Sequence, residues 1–158
     1  MTGPLRAIFP TNNETFLYWL TITTIMANAV AVLMVETQLP IMMNCAEATT
    51  IPKGTALKLD AAYTVIASSA ADDEFGGIAA EEKIGGDGKT QIAVYRDGIF
   101  KVEAGSTGVS LGMPCKLEAA NEFTTTAANN GDIGYNWGIA LEAATNGQFF
   151  LLDLGRGN

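Results

Sequence analysis

The chain has 158 residues, a formal net charge of −8, no histidine and only 16% charged residues. Its length suits one domain able to bury roughly 70% of its unfolded surface. No basic cluster is present, which excludes nucleic-acid binding through phosphate neutralisation. The missing histidine removes the commonest general base and zinc ligand. Glycine counts 17, and this favours strands and tight turns over charge-laced helices.

Residues 1–14 carry Pro4, Pro10, Asn12 and Asn13 and show no period, so they read as an irregular arm. Thr15–Val35 is an uncharged run of 21 residues, long enough for a membrane span. Its four threonines, Asn28 and β-branched middle argue against one. Ala27-Asn28-Ala29 has the form of an export cleavage site, yet a lone Arg6 and Glu14 are the wrong flank for export. From Met26 onward the sequence reads as the ordinary beginning of a small soluble protein, with 1–25 as an upstream extension. Within 27–35, Val30, Val32 and Met34 alternate with Ala29, Ala31 and Leu33. A strand there is apolar on both faces and needs cover on both, from its own domain or a partner.

Residues 36–158 form the expected β domain. Residues 41–62 predict a strand, a Pro-Lys-Gly turn at 52–54 and a second strand; Tyr63–Ala67 predicts a third. An acidic loop, 68–74, leads into Phe75–Glu103, where three short apolar runs are separated by glycine-rich breaks. Asp97-Gly98 between β-formers predicts a hairpin with a type I′ turn joining 91–95 to 99–102. Val109–Leu117, Ile133–Glu142 and Gln148–Leu154 predict the remaining strands, with at most one helical turn at Ala140–Thr145.

Self-comparison shows an internal duplication. Gly54-Thr-Ala-Leu-Lys-Leu-Asp-Ala-Ala62 aligns with Gly112-Met-Pro-Cys-Lys-Leu-Glu-Ala-Ala120 at an offset of 58. Gly77-Ile-Ala-Ala-Glu81 aligns with Gly138-Ile-Ala-Leu-Glu142 at 61, and Gln91–Tyr95 with Gln148–Leu152 at 57. The expected repeats run from about 51 to 103 and from 109 to 155. The fold class is therefore mainly β, a small barrel or sandwich built from two related units with an extended N-terminal arm. Gly54, Gly77, Gly98, Gly112 and Gly138 are expected to turn the chain or admit a neighbouring strand.

Candidate chemistry is sparse. Gly85-Gly-Asp-Gly-Lys-Thr90 lacks the upstream glycine of a phosphate loop and precedes a strand, not a helix. Asp72, Asp73, Glu74, Glu81 and Glu82 could pair as acids or hold a cation, but the spacing fits neither a glycosidase pair nor a calcium loop. The serines have no histidine to activate them. Cys45 and Cys115 belong to no CxxC pair; they read as small buried apolar residues, with a disulfide as the alternative. Trp19, Phe123, Tyr135 and Trp137 are core aromatics or, alternatively, a sugar-stacking surface. No enzyme, cofactor or metal is expected.

Five segments carry a family resemblance: Met26–Val30, Ile51-Pro-Lys-Gly-Thr-Ala-Leu-Lys-Leu59, Phe75–Ile84, Asp87-Gly-Lys-Thr-Gln-Ile-Ala-Val-Tyr95 and Asp97-Gly-Ile-Phe100. Together they resemble the capsid cement, or head decoration, proteins of tailed bacteriophages. Residues 1–25 depart from that pattern. The resemblance implies a β-barrel virion protein, made in the host cytoplasm, that trimerises on the outer capsid surface and binds the major capsid protein. It also implies an arm contact, placed here on Ala27, Ala29, Val30, Val32, Met34 and Val35. The competing readings are a secreted filament or adhesion subunit using 16–35 as export signal or donor strand, and a carbohydrate-binding module using Trp137.

Overall fold

Alternation of inward and outward side chains sets the strands, as in Gln91-Ile-Ala-Val-Tyr95, where Ile92 and Val94 are buried and Gln91 is exposed. The computed structural model describes residues 29–126 and 135–156. Among them are eleven strands: β1 (Val32–Val35), β2 (Ile41–Asn44), β3 (Ala56–Ala61), β4 (Thr64–Ala67), β5 (Phe75–Ala79), β6 (Gln91–Tyr95), β7 (Gly98–Ala104), β8 (Pro114–Ala119), β9 (Glu122–Thr125), β10 (Gly138–Ala140) and β11 (Phe149–Leu154). The 140–145 segment expected to hold a helical turn carries bends and a bridge instead.

Strands β2–β6 close into a barrel in the order β2-β4-β3-β5-β6. Strands β7–β11 close in the equivalent order, β7-β9-β8-β10-β11, and β1 is added to the outside of β7. The correspondence extends to detail. The parallel pair Asn44↔Thr64 matches Glu103↔Glu122. The bulge between Leu59 and Ala61 matches that between Leu117 and Ala119. The isolated bridge Ile51↔Lys83 matches Val109↔Ala144. Each unit thus buries its own apolar face by closing on itself, which also removes most free strand edges.

The predicted Asp-Gly hairpin does not form. β6 pairs with β2 and β5, while β7 pairs with β1, β11 and β9. Among described non-glycine residues, positive φ is confined to Tyr63, Asp72 and Asn121, so Asp97 lacks the geometry of a type I′ turn. Arg96-Asp97 is instead the short link between the barrels, and Gly98–Ala104 is the first strand of the second one.

Two core clusters follow from this plan. Met43, Ile51, Leu57, Val65, Ile92 and Val94 fill the first barrel. Phe100, Val102, Leu117, Phe123, Trp137 and Phe150 fill the second, and Ala56, Phe75 and Ile78 of the first barrel join them. β3 and β5 therefore carry apolar residues on both faces, Leu57 and Ala79 inward, Ala56 and Ile78 toward the neighbouring barrel. Burying each large side chain contributes roughly 1.5–3 kcal/mol.

Trp137 is the centre of the joint. It is fully buried, and its ring meets Phe75 edge-on at 5.1 Å and Phe123 at 5.6 Å. Its Nε1–H donates to the Asp73 carbonyl at 3.2 Å, tying a second-barrel residue to a first-barrel loop. The Ala56 N–H donates to Asn121 Oδ1 at 2.8 Å, and Lys116 pairs with Asp72 at 2.7 Å across the same seam.

Candidate functional site

The arm is fixed to the body more firmly than its sequence suggests. The Ala29 N–H donates to Glu103 Oε2 at 3.1 Å, and the Ala31 N–H to the Gly54 carbonyl at 2.9 Å. β1 then runs antiparallel to β7 with Val32 opposite Lys101 and Leu33 opposite Phe100. Leu33 packs onto the second core, and Thr37 Oγ1 donates to Asp97 Oδ1 where the strand ends.

The other face of this strand is open. Val32, Met34 and Val35 are 53%, 54% and 48% exposed, so the described residues cover one face of β1 and leave the second uncovered. Among the described residues no strand pairs with its outer edge. Of the expected arm contacts, Val32, Met34 and Val35 lie on this exposed strand. Ala29 and Val30 lie in the partly buried approach to it. Ala27 and Trp19 lie outside the described residues. Within the described part of the expected strand at 27–35, only Val32–Val35 is strand, because the Ala29 and Ala31 N–H groups are spent on Glu103 and Gly54.

The five glycines divide by role. Gly54 and Gly112 occupy equivalent turns with φ of +84° and +75°. A Cβ at Gly54 would collide with the Ala31 carbonyl, whereas Gly112 faces open space. Gly77 and Gly138 lie within strands, where neighbouring backbone, that of Tyr95 and Asp153 respectively, leaves no room for a Cβ. Gly98 begins β7 beside the Val35 carbonyl.

The acidic residues stitch loops. Asp73 accepts from the Ser69 and Ala70 N–H groups and from Lys58, at 2.8–3.0 Å. Burial pushes its carboxyl up, but these donors outweigh it and hold the pKa below the ordinary aspartate value. Glu81 Oε1 accepts from the Ala93 N–H at 3.1 Å. Glu118 accepts from the Ser106 and Thr107 hydroxyls, and these bonds bring its carboxyl down against the effect of burial. Glu122 is pushed up by burial, with Glu103 and Glu118 adding to it. Among the described residues no group of three or more His, Cys, Asp or Glu is placed to hold a metal ion.

The glycine-rich loop at 85–90 is equally occupied with itself. The Gly88 N–H donates to Glu47, the Gly85 N–H to Thr50 Oγ1 and the Lys89 N–H to Asp87. Beneath it lies a residue that sequence reasoning passed over. Lys83 is 1% exposed, and its ammonium donates to the carbonyls of Glu47, Thr49 and Ile84 at 2.6, 3.2 and 3.4 Å. Asp87 lies 3.6 Å away. The sequence signal was weak: Lys83 falls at the repeat position where the second unit has Ala144.

Trp137 and Phe123 are fully buried, so a sugar-stacking surface built on them does not exist. Tyr135 is partly buried. Cys45 and Cys115 are free, buried thiols; burial pushes the Cys115 pKa to about 12 and raises that of Cys45. Among the described residues no helix is long and apolar enough to cross a membrane.

No protein-family model and no curated protein matches the chain. Among solved structures it is similar to the N base of head fiber gp8.5 of bacteriophage phi29. The two are 16% identical, with 77% of this chain and 94% of that one covered and a TM-score of 0.48. At that distance the likeness carries no weight for what the chain binds.

Proposed function

We propose that this chain is a structural virion protein that binds the outside of an icosahedral phage head and stabilises the major capsid protein lattice, without catalysis or cofactor. The observation that carries the reading is the anchored, half-exposed apolar strand β1. An uncovered apolar strand with a free edge is a ready surface for another protein's sheet. The two barrels behind it bury two apolar cores, and the strand is anchored to the second through β7. The sequence resemblance to head decoration proteins supplies the partner, and with it assembly as a homotrimer at local three-fold positions.

The mechanism is mass action. A ligand that binds only the expanded shell stabilises it by RT ln(1 + [L]/Kd), repeated over many sites. The test adds purified protein to heads that lack it and measures co-sedimentation and head survival on heating. The wild-type protein is expected to bind and raise the disruption temperature. Val32→Asp with Met34→Asp is expected to weaken binding by roughly tenfold or more, with unfolding of the free protein unchanged. Heads that gain no protein and no stability would sink the proposal. A mature N-terminus at Val30 or later would favour export instead.

A further inference from the structure

The duplication exposes a vacancy. In β7, residues 99, 101 and 103 turn their backbone groups to one side, where β1 pairs opposite Lys101 and β9 opposite Glu103. In β2 the equivalent side is used at Asn44, whose N–H donates to the Tyr63 carbonyl at 2.9 Å and which stands opposite Thr64 of β4. Met42 stands where Lys101 does: it lies opposite Ala93 of β6, as Lys101 lies opposite Leu151 of β11. Strand alternation directs the Met42 N–H and carbonyl to the Asn44 side, beyond the first residue of β4. Among the described residues no strand pairs with β2 there.

A second observation marks the same gap. Phe100, the inward residue next to Lys101, is 1% exposed beneath Leu33. Its counterpart Ile41 is only partly buried, and Met42 and Leu39 beside it are 47% and 78% exposed. Among the described residues the first barrel has no counterpart of the apolar strand that finishes the second.

We propose that the Ile41–Met42 edge of β2 is a strand-acceptor site and that residues 16–25 of this chain are the strand it accepts. β1, the occupant of the equivalent edge, is an uncharged apolar strand, and Phe16-Leu-Tyr-Trp-Leu-Thr-Ile-Thr-Thr-Ile25 is likewise uncharged and mostly aromatic or β-branched. Thr21, at the middle of that stretch, lies eight residues before Ala29, a link of at most about 28 Å when extended, so the strand is confined to edges within that distance of the point where Ala29 is anchored. The strand adds backbone hydrogen bonds at Met42 and an apolar side chain over Ile41. This goes beyond the capsid-binding role and stands whether or not that role holds.

Amide hydrogen exchange on the full chain tests it, comparing wild type with Thr21→Pro plus Thr23→Pro, which removes two strand donors without touching β1 or either barrel. The Met42 amide is expected to exchange roughly tenfold or more faster in the double variant, while the Lys101 amide, covered by β1 in both proteins, is unchanged and reports that the barrels remain folded. Equal Met42 exchange in the two proteins overturns the proposal. So does protection that survives the prolines but vanishes on dilution, which assigns the edge to another surface of a second copy. Protection that arises only when heads are added assigns it to the capsid and overturns it too.

Discussion

Lys83 in the first barrel and Ala144 in the second occupy one position in a shared strand plan, each in an isolated bridge, to Ile51 and to Val109. The first barrel closes its loop end with a buried ammonium gathering three carbonyls; the second closes the same end with a small apolar residue. The side edge differs in the opposite sense: the second barrel is finished by β1, and among the described residues the first has no such strand. The aromatic content differs as well, since Phe100, Phe123, Trp137 and Phe150 all fill the second core and no aromatic fills the first. Duplication has kept the hydrogen-bond scaffold, which constrains every residue, and released the side chains, which need only fill the volume. The second barrel became the aromatic packing centre, and the first the one whose loop end is held by a buried ammonium.

The largest effect expected on that contrast comes from Trp137→Ala, which empties the joint between barrels. It should cost about 3–5 kcal/mol, read as a fall in the urea midpoint with loss of near-ultraviolet signal. A loss confined to the second barrel would show the joint to be dispensable. Lys83→Met comes next, leaving three carbonyls without their donor and Asp87 without its cation. About 2–3 kcal/mol is expected, with faster amide exchange confined to the loops at 46–49 and 84–87. Unchanged exchange there would mean that the ammonium stitches nothing.

Gly54→Ala and Gly112→Ala make a matched pair. Both positions have positive φ, costing roughly 1 kcal/mol for alanine, but Gly54 also backs onto the Ala31 carbonyl. Gly54→Ala should therefore be the more damaging and should expose the arm to proteolysis, while Gly112→Ala leaves it protected. Equal effects would detach the arm from the first barrel. Smallest is the acid response of Asp73. Its folded pKa lies below the ordinary aspartate value, so its contribution is present above that value and is lost as pH falls through the folded pKa. Asp73→Asn should flatten the stability profile below about pH 4, followed by urea midpoints across pH; an unaltered acid limb would mean that the Asp73 carboxylate does not hold the Ser69–Ala70 loop.

The candidate site was partly legible. The uncharged run ending at Val35 marked an arm, because an apolar stretch with no charge stands out against any background. What anchors it was not legible: Glu103 and Gly54 are far from Ala29 and Ala31 in sequence, and a single carboxylate or carbonyl leaves no local pattern. Lys83 was hidden for the same reason, since a lone lysine reads as solvated until the carbonyls around it are placed. Trp137 read equally well as core or as sugar platform, because an aromatic ring has no local signature of burial.

By itself the sequence determined the β class and the duplication, since alternation, glycine spacing and self-similarity are short-range properties written along the chain. Only the tertiary structure decided which strands meet. Asp97-Gly98 had the local chemistry of a hairpin, yet β6 and β7 belong to different barrels, because closing each sheet on itself satisfies more backbone and buries more apolar surface than one tight turn contributes. The same closure decided that β1 finishes the second barrel and that the equivalent edge of the first, at Ile41 and Met42, stands unpaired among the described residues.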